Sequence, residues 1–244
     1  MTTATLRRRW FQFSLKGLML LVVVVAVPCG WLKWKIDRKS EEREVVAEIQ
    51  KLGGSVTYAW ESSQWYIFNV RRRRSDTSPP GASWLHAMFG DDFLTNVECV
   101  HLPPPKDVFL RKWTLYLWAG HQYTEGTAAT DSDLIVLATL RSLEELHLPF
   151  TNIGDLGVAH CKYLTNLRLL NLEYTNVTDI GLSHLQSLSG LHELSLANTL
   201  VTDNGLRYLR QMTQLTHLSL QGTRTTDAGI AELQKALPNC EIIR

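Results

Sequence analysis

Cysteine and histidine are the residues of this chain that most readily suggest chemistry. The four cysteines, Cys29, Cys99, Cys161 and Cys240, show none of the C-x-x-C spacing that is typical of zinc and redox motifs. His160 precedes Cys161, which raises a thiol nucleophile with a neighbouring base as one interpretation. Adjacent residues of a helix point in different directions, however. We therefore predict no catalytic residue, no metal site and no cofactor, and we interpret Cys161 and Cys240 as small core residues.

Recognised catalytic motifs do not occur in the sequence. It has no P-loop, no G-x-S-x-G, no H-E-x-x-H and no glycine-rich dinucleotide fingerprint. An enzyme hidden in residues 54–130, using His86, Asp91, Asp92 and His121, is the alternative, and no motif supports it. The sequence therefore favours a protein that is not an enzyme.

The charge balance limits the class of partner. Lys and Arg total 25 against 24 Asp and Glu, so the formal net charge is +1. Neutralising a phosphate backbone needs a clear basic excess, and we therefore expect no nucleic-acid partner. Arg71, Arg72, Arg73 and Arg74 could contact RNA or anionic lipid, but the composition of residues 71–81 predicts a solvated loop. The sequence leaves the role of these arginines open.

The second half of the chain repeats with a period of 24 residues. Leucine is concentrated there, with 26 in residues 134–244 against 13 in residues 1–133. Three leucine columns, one threonine column, one aspartate column and one glycine column keep this spacing over four units, which indicates a solenoid. The polar and glycine columns are Thr151, Thr175, Thr199 and Thr223; Asp155, Asp179, Asp203 and Asp227; and Gly157, Gly181, Gly205 and Gly229.

The repeating unit, L-x-x-L-x-L-x-x-T-x-[VI], resembles the leucine-rich repeat. With a helix expected on every coil, it is most similar to the ribonuclease-inhibitor-like and F-box-associated repeats. The resemblance implies an α/β fold, a right-handed horseshoe solenoid over residues 96–244, in which Thr replaces the usual Asn and satisfies backbone groups of the turn. Degenerate coils before residue 143 and a closing strand near residues 237–242 bring the expected total to about five to seven coils.

Each coil is expected to contain a short strand and a short helix. Leu146 and Leu148 alternate around His147, so the strand sends two leucines into the core and one side chain outward. The pair Thr178–Asp179 and its equivalents favour the start of a helix, because Thr is a good N-cap and Asp stabilises the positive end of the helix dipole.

The outward side chains of successive strands are predicted to form a concave face, the surface that solenoids use for binding. The face is polar and slightly acidic, and it lacks the aromatic and arginine anchors of a typical hot spot. We expect these side chains to face solvent and to bind a protein or peptide ligand. The predicted face consists of Glu145, His147, Leu169, Asn171, Glu173, Glu193, Ser195, His217, Ser219 and Gln221.

An apolar run follows a basic tail at the N-terminus. After residues 1–16, we predict a transmembrane helix at residues 17–34, because residues 18–32 carry no charge and aromatic residues flank them as in an interfacial belt. A cleaved signal peptide is the alternative, since Arg7–Arg9 before an apolar run also fits that pattern, although no A-x-A site follows. A cytoplasmic N-terminus would place the repeats of this single-pass membrane protein outside the cytoplasm.

Residues 35–95 connect the predicted span to the repeats. Apolar positions among the charges of residues 36–52 predict a juxtamembrane helix, which Gly53 and Gly54 should end. The other elements expected here are a hairpin of strands at residues 55–60 and 65–70, and a short helix at residues 83–94 that forms an N-terminal cap.

Several stretches together resemble a group of bacterial membrane-anchored leucine-rich-repeat proteins: RRRWFQFSLKGLMLLV, EIQKLGGSVTY and the recurring T-x-V-T-D-x-G-L. The resemblance implies a non-catalytic, membrane-tethered domain that binds a protein or peptide. The alternative family, the substrate-recognition adaptors of F-box ubiquitin ligases, would need an F-box helix trio, and residues 35–95 show none that is convincing. Neither the ligand nor the oligomeric state follows from the sequence.

Overall fold

The computed structural model of the chain describes most of the repeats and part of the N-terminal half. The chain divides into two compact units, residues 1–41 and residues 42–244, and each is described by itself. The helix predicted at residues 83–94 lies outside the described residues, as do Arg74, His86, Asp91, Asp92 and His121. The described residues are 15–58, 64–67, 70–73, 97–101 and 129–244.

The first helix, α1, runs from Leu15 to Lys51 and includes Pro28. It is continuous through residue 35, where the sequence predicted the boundary between two helices. Its end agrees with the prediction. Gly53 adopts a left-handed backbone with φ 77°, and the Gly54 N–H donates to the Ile49 carbonyl at 2.9 Å, which satisfies a carbonyl of the last turn.

Residues 15–25 have no described side chains, and they include the first half of the span predicted at residues 17–34. Among the residues that are described, no helix has both the length and the apolar character that crossing a membrane requires. Further along α1, the side chains of Val27, Trp31 and Trp34 are more than half exposed. This part of α1 therefore presents apolar surface to its surroundings.

One seven-stranded sheet organises the second unit. Its first strand is antiparallel to the second, and every later neighbour is parallel, as expected for coils that follow one another in a solenoid. In sheet order the strands are β1 (Ser55–Tyr58), β4 (Val97–His101), β5 (Glu145–His147), β6 (Leu169–Asn171), β7 (Glu193–Ser195), β8 (His217–Ser219) and β9 (Glu241–Ile243).

The hairpin predicted from residues 55–60 and 65–70 is wrong. Both segments contain a strand, but β1 pairs with β4, whereas β2 (Gln64–Ile67) pairs with β3 (Val70–Arg73). In its actual position, β1 occupies the edge of β4, where the parallel sheet would otherwise present unpaired N–H and C=O groups. Arg71, Arg72 and Arg73 consequently belong to a strand and not to the loop that their composition predicted.

A helix follows each of the strands β5 to β8, as the sequence predicts. Three of these helices begin after a threonine whose hydroxyl accepts a helix N–H: Thr178 from Ile180, Thr202 from Asn204, and Thr226 from Gly229. The helices are α2 (Leu134–Leu137), α3 (Asp155–Cys161), α4 (Asp179–His184), α5 (Asp203–Leu209) and α6 (Asp227–Ala236), with 3-10 turns at Asp131–Asp133 and Leu185–Ser187.

The repeat columns of leucine and threonine have the roles that the sequence predicts. The leucines of the strand column, such as Leu170 and Leu194, are completely buried in one continuous core. The threonine hydroxyls donate to the carbonyl three residues earlier, at 2.7 Å for Thr151 to Leu148 and 2.6 Å for Thr175 to Leu172. Each of these bonds satisfies a turn carbonyl in a site where water has no access.

Each aspartate of the column lies in the first turn of its own helix, as predicted, and Asp155, Asp179 and Asp203 also bind the next coil, which the sequence does not predict. Asp155 Oδ1 accepts the backbone N–H groups of Thr178 and Gly181, both at 2.8 Å, and Asp155 Oδ2 accepts the Thr178 hydroxyl at 2.6 Å. Asp179 binds Thr202 in the same way. The carboxylate thereby satisfies N–H groups that a helix start leaves without intrahelical partners.

The same contact recurs at the C-terminal coil, where Asp203 accepts the Thr226 N–H at 2.7 Å and the Thr226 hydroxyl at 2.6 Å. These two hydrogen bonds favour the charged carboxylate and lower the pKa of Asp203 below its ordinary value, with a smaller contribution from Arg244. We call this series of contacts, from Asp131–Gly154 to Asp203–Thr226, the aspartate ladder.

The glycine column exists because the aspartate ladder leaves no room for a side chain. A Cβ placed on Gly181 would lie 2.5 Å from Asp155 Oδ1 and 2.8 Å from Val177 Cγ1. A Cβ placed on Gly157 would likewise lie 2.5 Å from Asp131 Oδ1. Glycine is thus required for the close approach of one coil's carboxylate to the next coil's helix.

The N-terminal end of the core is closed by the last turns of α1. Val45, Val46 and Ile49 are buried in the same cluster as the repeat leucines. Glu42 Oε1 accepts the N–H of Val97, the first residue of β4, at 3.3 Å. These residues and β1 cover the open face that a terminal repeat would otherwise leave. The cap that the sequence predicts, the helix at residues 83–94, lies outside the described residues.

Replacing Gly181 with alanine should destabilise the repeats by about 1–3 kcal/mol, because the new methyl group overlaps the Asp155 carboxylate and must break the ladder contact. Gly190→Ala is the matched control, since its Cβ would meet only the Thr165 carbonyl, at 3.8 Å. Urea unfolding followed by circular dichroism measures both changes. Equal stabilities for the two variants would contradict the proposed reason for the glycine column.

Candidate functional site

Eight of the ten predicted face residues lie within four neighbouring strands of the sheet, whereas Glu173 and Gln221 each lie two residues beyond the end of a strand. The three-residue strands are in register, with Glu145 opposite Leu169, Glu193 opposite Leu169 on the other side, and His217 opposite Glu193. The middle residue of each strand points into the core, so the first and third point to the concave side. The candidate site therefore begins as a continuous polar surface built by β5 to β8.

Most of this surface is buried, contrary to the expectation that it faces solvent. Register neighbours stand about 4.8 Å apart and cover one another laterally. In addition, further polar, ionic or ring interactions within the chain involve four residues of the predicted face: His147, Glu173, Glu193 and His217. The buried members of the predicted face are His147, Leu169, Asn171, Glu193, Ser195 and Ser219.

The accessible part of the concave side lies at its C-terminal end, and we call it the open end: His217, Gln221 and Glu241. Gln221 and Glu241 are exposed, and the His217 ring keeps about a quarter of its surface. The His217 Nε2 atom lies 3.6 Å from Glu241 Oε2, and its Nδ1 atom lies 3.0 Å from the Thr216 hydroxyl. The open end therefore offers hydrogen-bonding and acidic groups that a ligand can reach.

A cluster of three potential metal ligands lies at the opposite end of the face. Cys99 stands opposite Glu145 in the register of β4 and β5, and His147 is two residues further along β5. One ligand atom from each of the three lies within 4.8 Å of the other two. Sequence spacing did not reveal this cluster, because Cys99 lies in a degenerate coil, and only its register with Glu145 connects them.

The interpretation of Cys161 as a nucleophile is not favoured by its surroundings. Cys161 is buried in the core, and this burial raises the pKa of its thiol to about 12. Burial also raises the pKa of Cys240 to about 11, with a contribution from the charge of Glu241. The structure thus places both thiols in the core, as predicted, and disfavours their reactive thiolate forms.

An unusual backbone column follows the strands at the same 24-residue spacing. Phe150, Tyr174 and Asn198 have positive φ angles of 59°, 55° and 56°, and Gly222 continues the column with φ 66°. The rings of Phe150 and Tyr174 stack with their centroids 4.4 Å apart. Bulky side chains seldom adopt this conformation, so the turn imposes it on all four coils and the ring stack offsets part of the strain.

The helical side of the coils also exposes apolar side chains. Leu156 and Ile180 occupy equivalent positions in α3 and α4, and their exposed fractions are 73% and 64%. Singly exposed apolar residues are common on protein surfaces. These two side chains form a second accessible surface that a ligand-mapping experiment must separate from the open end.

Comparison with known proteins agrees with the repeat architecture. A family model described as "Leucine Rich repeat" matches residues 139–159 and 163–188. No curated protein matches the chain. The two matched segments lie within the observed coils, so the repeats of this chain are similar to that family. The family match gives no support to an F-box adaptor.

Among solved structures, an internalin from Listeria monocytogenes is 28% identical over 50% of this chain and 33% of its own, with a TM-score of 0.42. Internalin C2 from the same organism is 31% identical, covering 44% of each chain, with a TM-score of 0.38. The leucine-rich-repeat ectodomain of the Arabidopsis thaliana receptor kinase SOBIR1 is 14% identical, with a TM-score of 0.40. The match covers 84% of this chain and 91% of the ectodomain. The chain thus spans one third of the first internalin's length.

Cys161 and Cys240, which are both buried, should resist alkylation in the native protein and react only after denaturation. With a pKa of about 12, the thiolate fraction of Cys161 at pH 8 is on the order of 10⁻⁴ even before access is considered. Mass spectrometry after iodoacetamide treatment, with and without denaturant, measures each site. Rapid native labelling of Cys161 would contradict its placement in the core and favour the nucleophile interpretation.

Proposed function

We propose that the chain is a non-catalytic binding module that captures a protein or peptide ligand with its leucine-rich repeats and is tethered to a membrane by residues 17–34. The observation that carries the binding proposal is the open end, where accessible polar groups are presented by His217 and Glu241 on neighbouring strands and by Gln221 just beyond β8. Extended solenoid surfaces of this kind typically bind macromolecules.

The open end favours a ligand with donor groups and positive charge. Glu241 is a carboxylate with two thirds of its side chain exposed, and it lies next to the half-buried His217 ring. Gln221 adds an exposed amide two residues after the end of β8. Exposed charges of this type increase the association rate and the specificity of an interface.

The buried part of the face has a different role in this proposal. Leu169, Asn171 and Glu193 are almost completely inaccessible, so they stabilise the solenoid rather than contact a ligand. The Asn171 side chain, for example, accepts the backbone N–H of Glu173 at 2.9 Å. The ligand surface is therefore smaller than the ten residues predicted from the sequence.

Two features support the proposed tether. Residues 18–32 carry no charged side chain, and α1 exposes Val27 and Trp31 within this run and Trp34 just after it. Lipid would cover this apolar surface, and tryptophan is enriched at membrane interfaces. We propose a single span with a cytoplasmic N-terminus, which places the repeats outside the cytoplasm, in the manner of the bacterial membrane-anchored proteins that the sequence resembles.

Site-specific photo-cross-linking tests the ligand surface. A photoreactive residue at position 221 should give a discrete cross-linked protein in cells, and one at Gln211, an exposed residue on the other side of the coil, should not. The identified partner, once purified, should bind the full-length chain about tenfold more weakly after Glu241→Lys, a loss of roughly 1.4 kcal/mol. Gln211→Lys should leave the affinity unchanged.

Two outcomes would contradict the open end as the ligand surface. Cross-linking from position 211 but not from position 221 is one of them. The other is a partner whose affinity survives Glu241→Lys but is lost in Leu156→Ser/Ile180→Ser, which would move the surface to the exposed apolar pair on α3 and α4.

Replacing Val23 and Val25 with arginine should release the protein from membranes, since a charge near the bilayer centre costs roughly 2.5–3.5 kcal/mol for each residue. Val23→Leu/Val25→Leu is the matched control and should remain bound. Flotation of cell membranes after carbonate extraction distinguishes the two variants. Recovery of the unmodified protein in the soluble fraction would refute the tether while leaving the binding proposal intact.

A further inference from the structure

We propose that Cys99, Glu145 and His147 form a binding site for a divalent transition-metal ion, with Zn²⁺ as the ion that best matches their donor atoms. The three residues supply a thiol sulfur, a carboxylate oxygen and an imidazole nitrogen, and these ligand atoms all lie within 4.8 Å of one another. This combination of ligands is typical of zinc and uncommon for magnesium or calcium. The site is independent of the ligand surface proposed above.

The backbone register places the three side chains together. β4 and β5 are parallel neighbours in which Cys99 is directly opposite Glu145. His147 lies two residues beyond Glu145, and residues separated by two positions along a strand share a face. The intervening Leu146 points into the core, where it is completely buried. The convergence is thus a property of two rigid, adjacent strands, which are better supports for a site than loops.

The separations are close to those of a coordinated ion. With bonds of about 2.0–2.3 Å, tetrahedral ligand atoms stand roughly 3.3–3.8 Å apart. His147 Nε2 and Glu145 Oε2 are already 3.7 Å apart, which lies within this range and is too long for a hydrogen bond. The ligand atoms of the three residues are at most 4.8 Å apart, and a small rotation of one side chain would bring them to these coordination distances.

Burial makes a cation favourable at this position. Cys99 and His147 are 1% and 4% exposed, and 14% of the Glu145 side chain remains accessible. The Glu145 Oε2 atom itself is buried, and none of the described residues donates a hydrogen bond to it. Removing a carboxylate oxygen from water without a donor is costly, whereas a direct bond to a metal ion compensates for the lost hydration.

Three protein ligands leave one position of a tetrahedral zinc ion for water or another small ligand. Such a site differs from closed structural sites, in which four protein ligands surround the ion. It also lies on β4 and β5, away from the open end on β8 and β9 in the order of the sheet. Its ion would therefore join the first two parallel strands of the solenoid and could bind a small anion at the fourth position.

Metal titration of the full-length chain, purified in mild detergent, tests the site. Zn²⁺ should bind at one equivalent, and Co²⁺ should give the thiolate-to-metal charge-transfer absorption that reports a cysteine ligand. Cys99→Ser should abolish this absorption, and Glu145→Gln, which keeps the shape of the side chain, should weaken Co²⁺ binding at least tenfold. Cys29→Ser and Glu144→Gln are the matched controls and should behave as the unmodified protein, because neither belongs to the cluster.

Three results would overturn the proposal. They are the failure of the unmodified chain to bind Zn²⁺ or Co²⁺ at one equivalent, a charge-transfer absorption that persists in Cys99→Ser, and Co²⁺ affinities that are equal in Glu145→Gln and Glu144→Gln. The Glu145→Gln variant keeps the test decisive if Cys99→Ser does not fold, which far-ultraviolet circular dichroism establishes. None of these results depends on the protein ligand of the open end.

Discussion

A carboxylate that reaches from one coil to the helix start of the next is the interaction on which this solenoid depends. The repeat helices have only four to ten residues, and helices of this length are marginal by themselves. Asp155, Asp179 and Asp203 each supply a charged acceptor at the positive end of the following helix, and each also binds the threonine that caps it. Because every coil stabilises its successor, the folding of one repeat is coupled to the next, and the glycine column follows as a steric requirement.

The sequence predicts the elements that recur every 24 residues. For the elements that do not recur, it does not predict which strand or coil they contact. The 24-residue period correctly assigns the buried leucines, the turn threonines such as Thr151 and the helix caps such as Thr178, because equivalent positions have equivalent environments. It does not show that the carboxylate of Asp155 crosses to the next coil, since a strict period is compatible with contacts inside a coil and between coils. The predicted hairpin failed for a related reason. Strand composition at residues 55–58 indicates a strand, but only the open edge of β4 decides where that strand pairs.

The candidate site, too, could be predicted from the sequence only in part. Alternation along the strands predicts which side chains lie on the concave side, but it does not predict that Glu193 on this side is only 4% exposed. Cys99 precedes Glu145 by 46 residues and belongs to a degenerate coil, so no spacing rule connects them. The face consequently has two different ends: a buried cluster of metal-type ligands on β4 and β5, and accessible polar groups at His217, Gln221 and Glu241. A rigid stack of coils can keep these two sites at a constant separation.

Hydrogen exchange at the threonine amides tests the aspartate ladder most directly. In the unmodified protein, the N–H of Thr202 donates to Asp179 at 2.8 Å, so it should exchange as slowly as the amides of β7. In Asp179→Ala, the Thr202 amide should lose this protection, and exchange should also increase at Thr226, because the loss of one cap weakens the following coil. Equal exchange rates at Thr202 in the two proteins would contradict the claim that these carboxylates couple the coils.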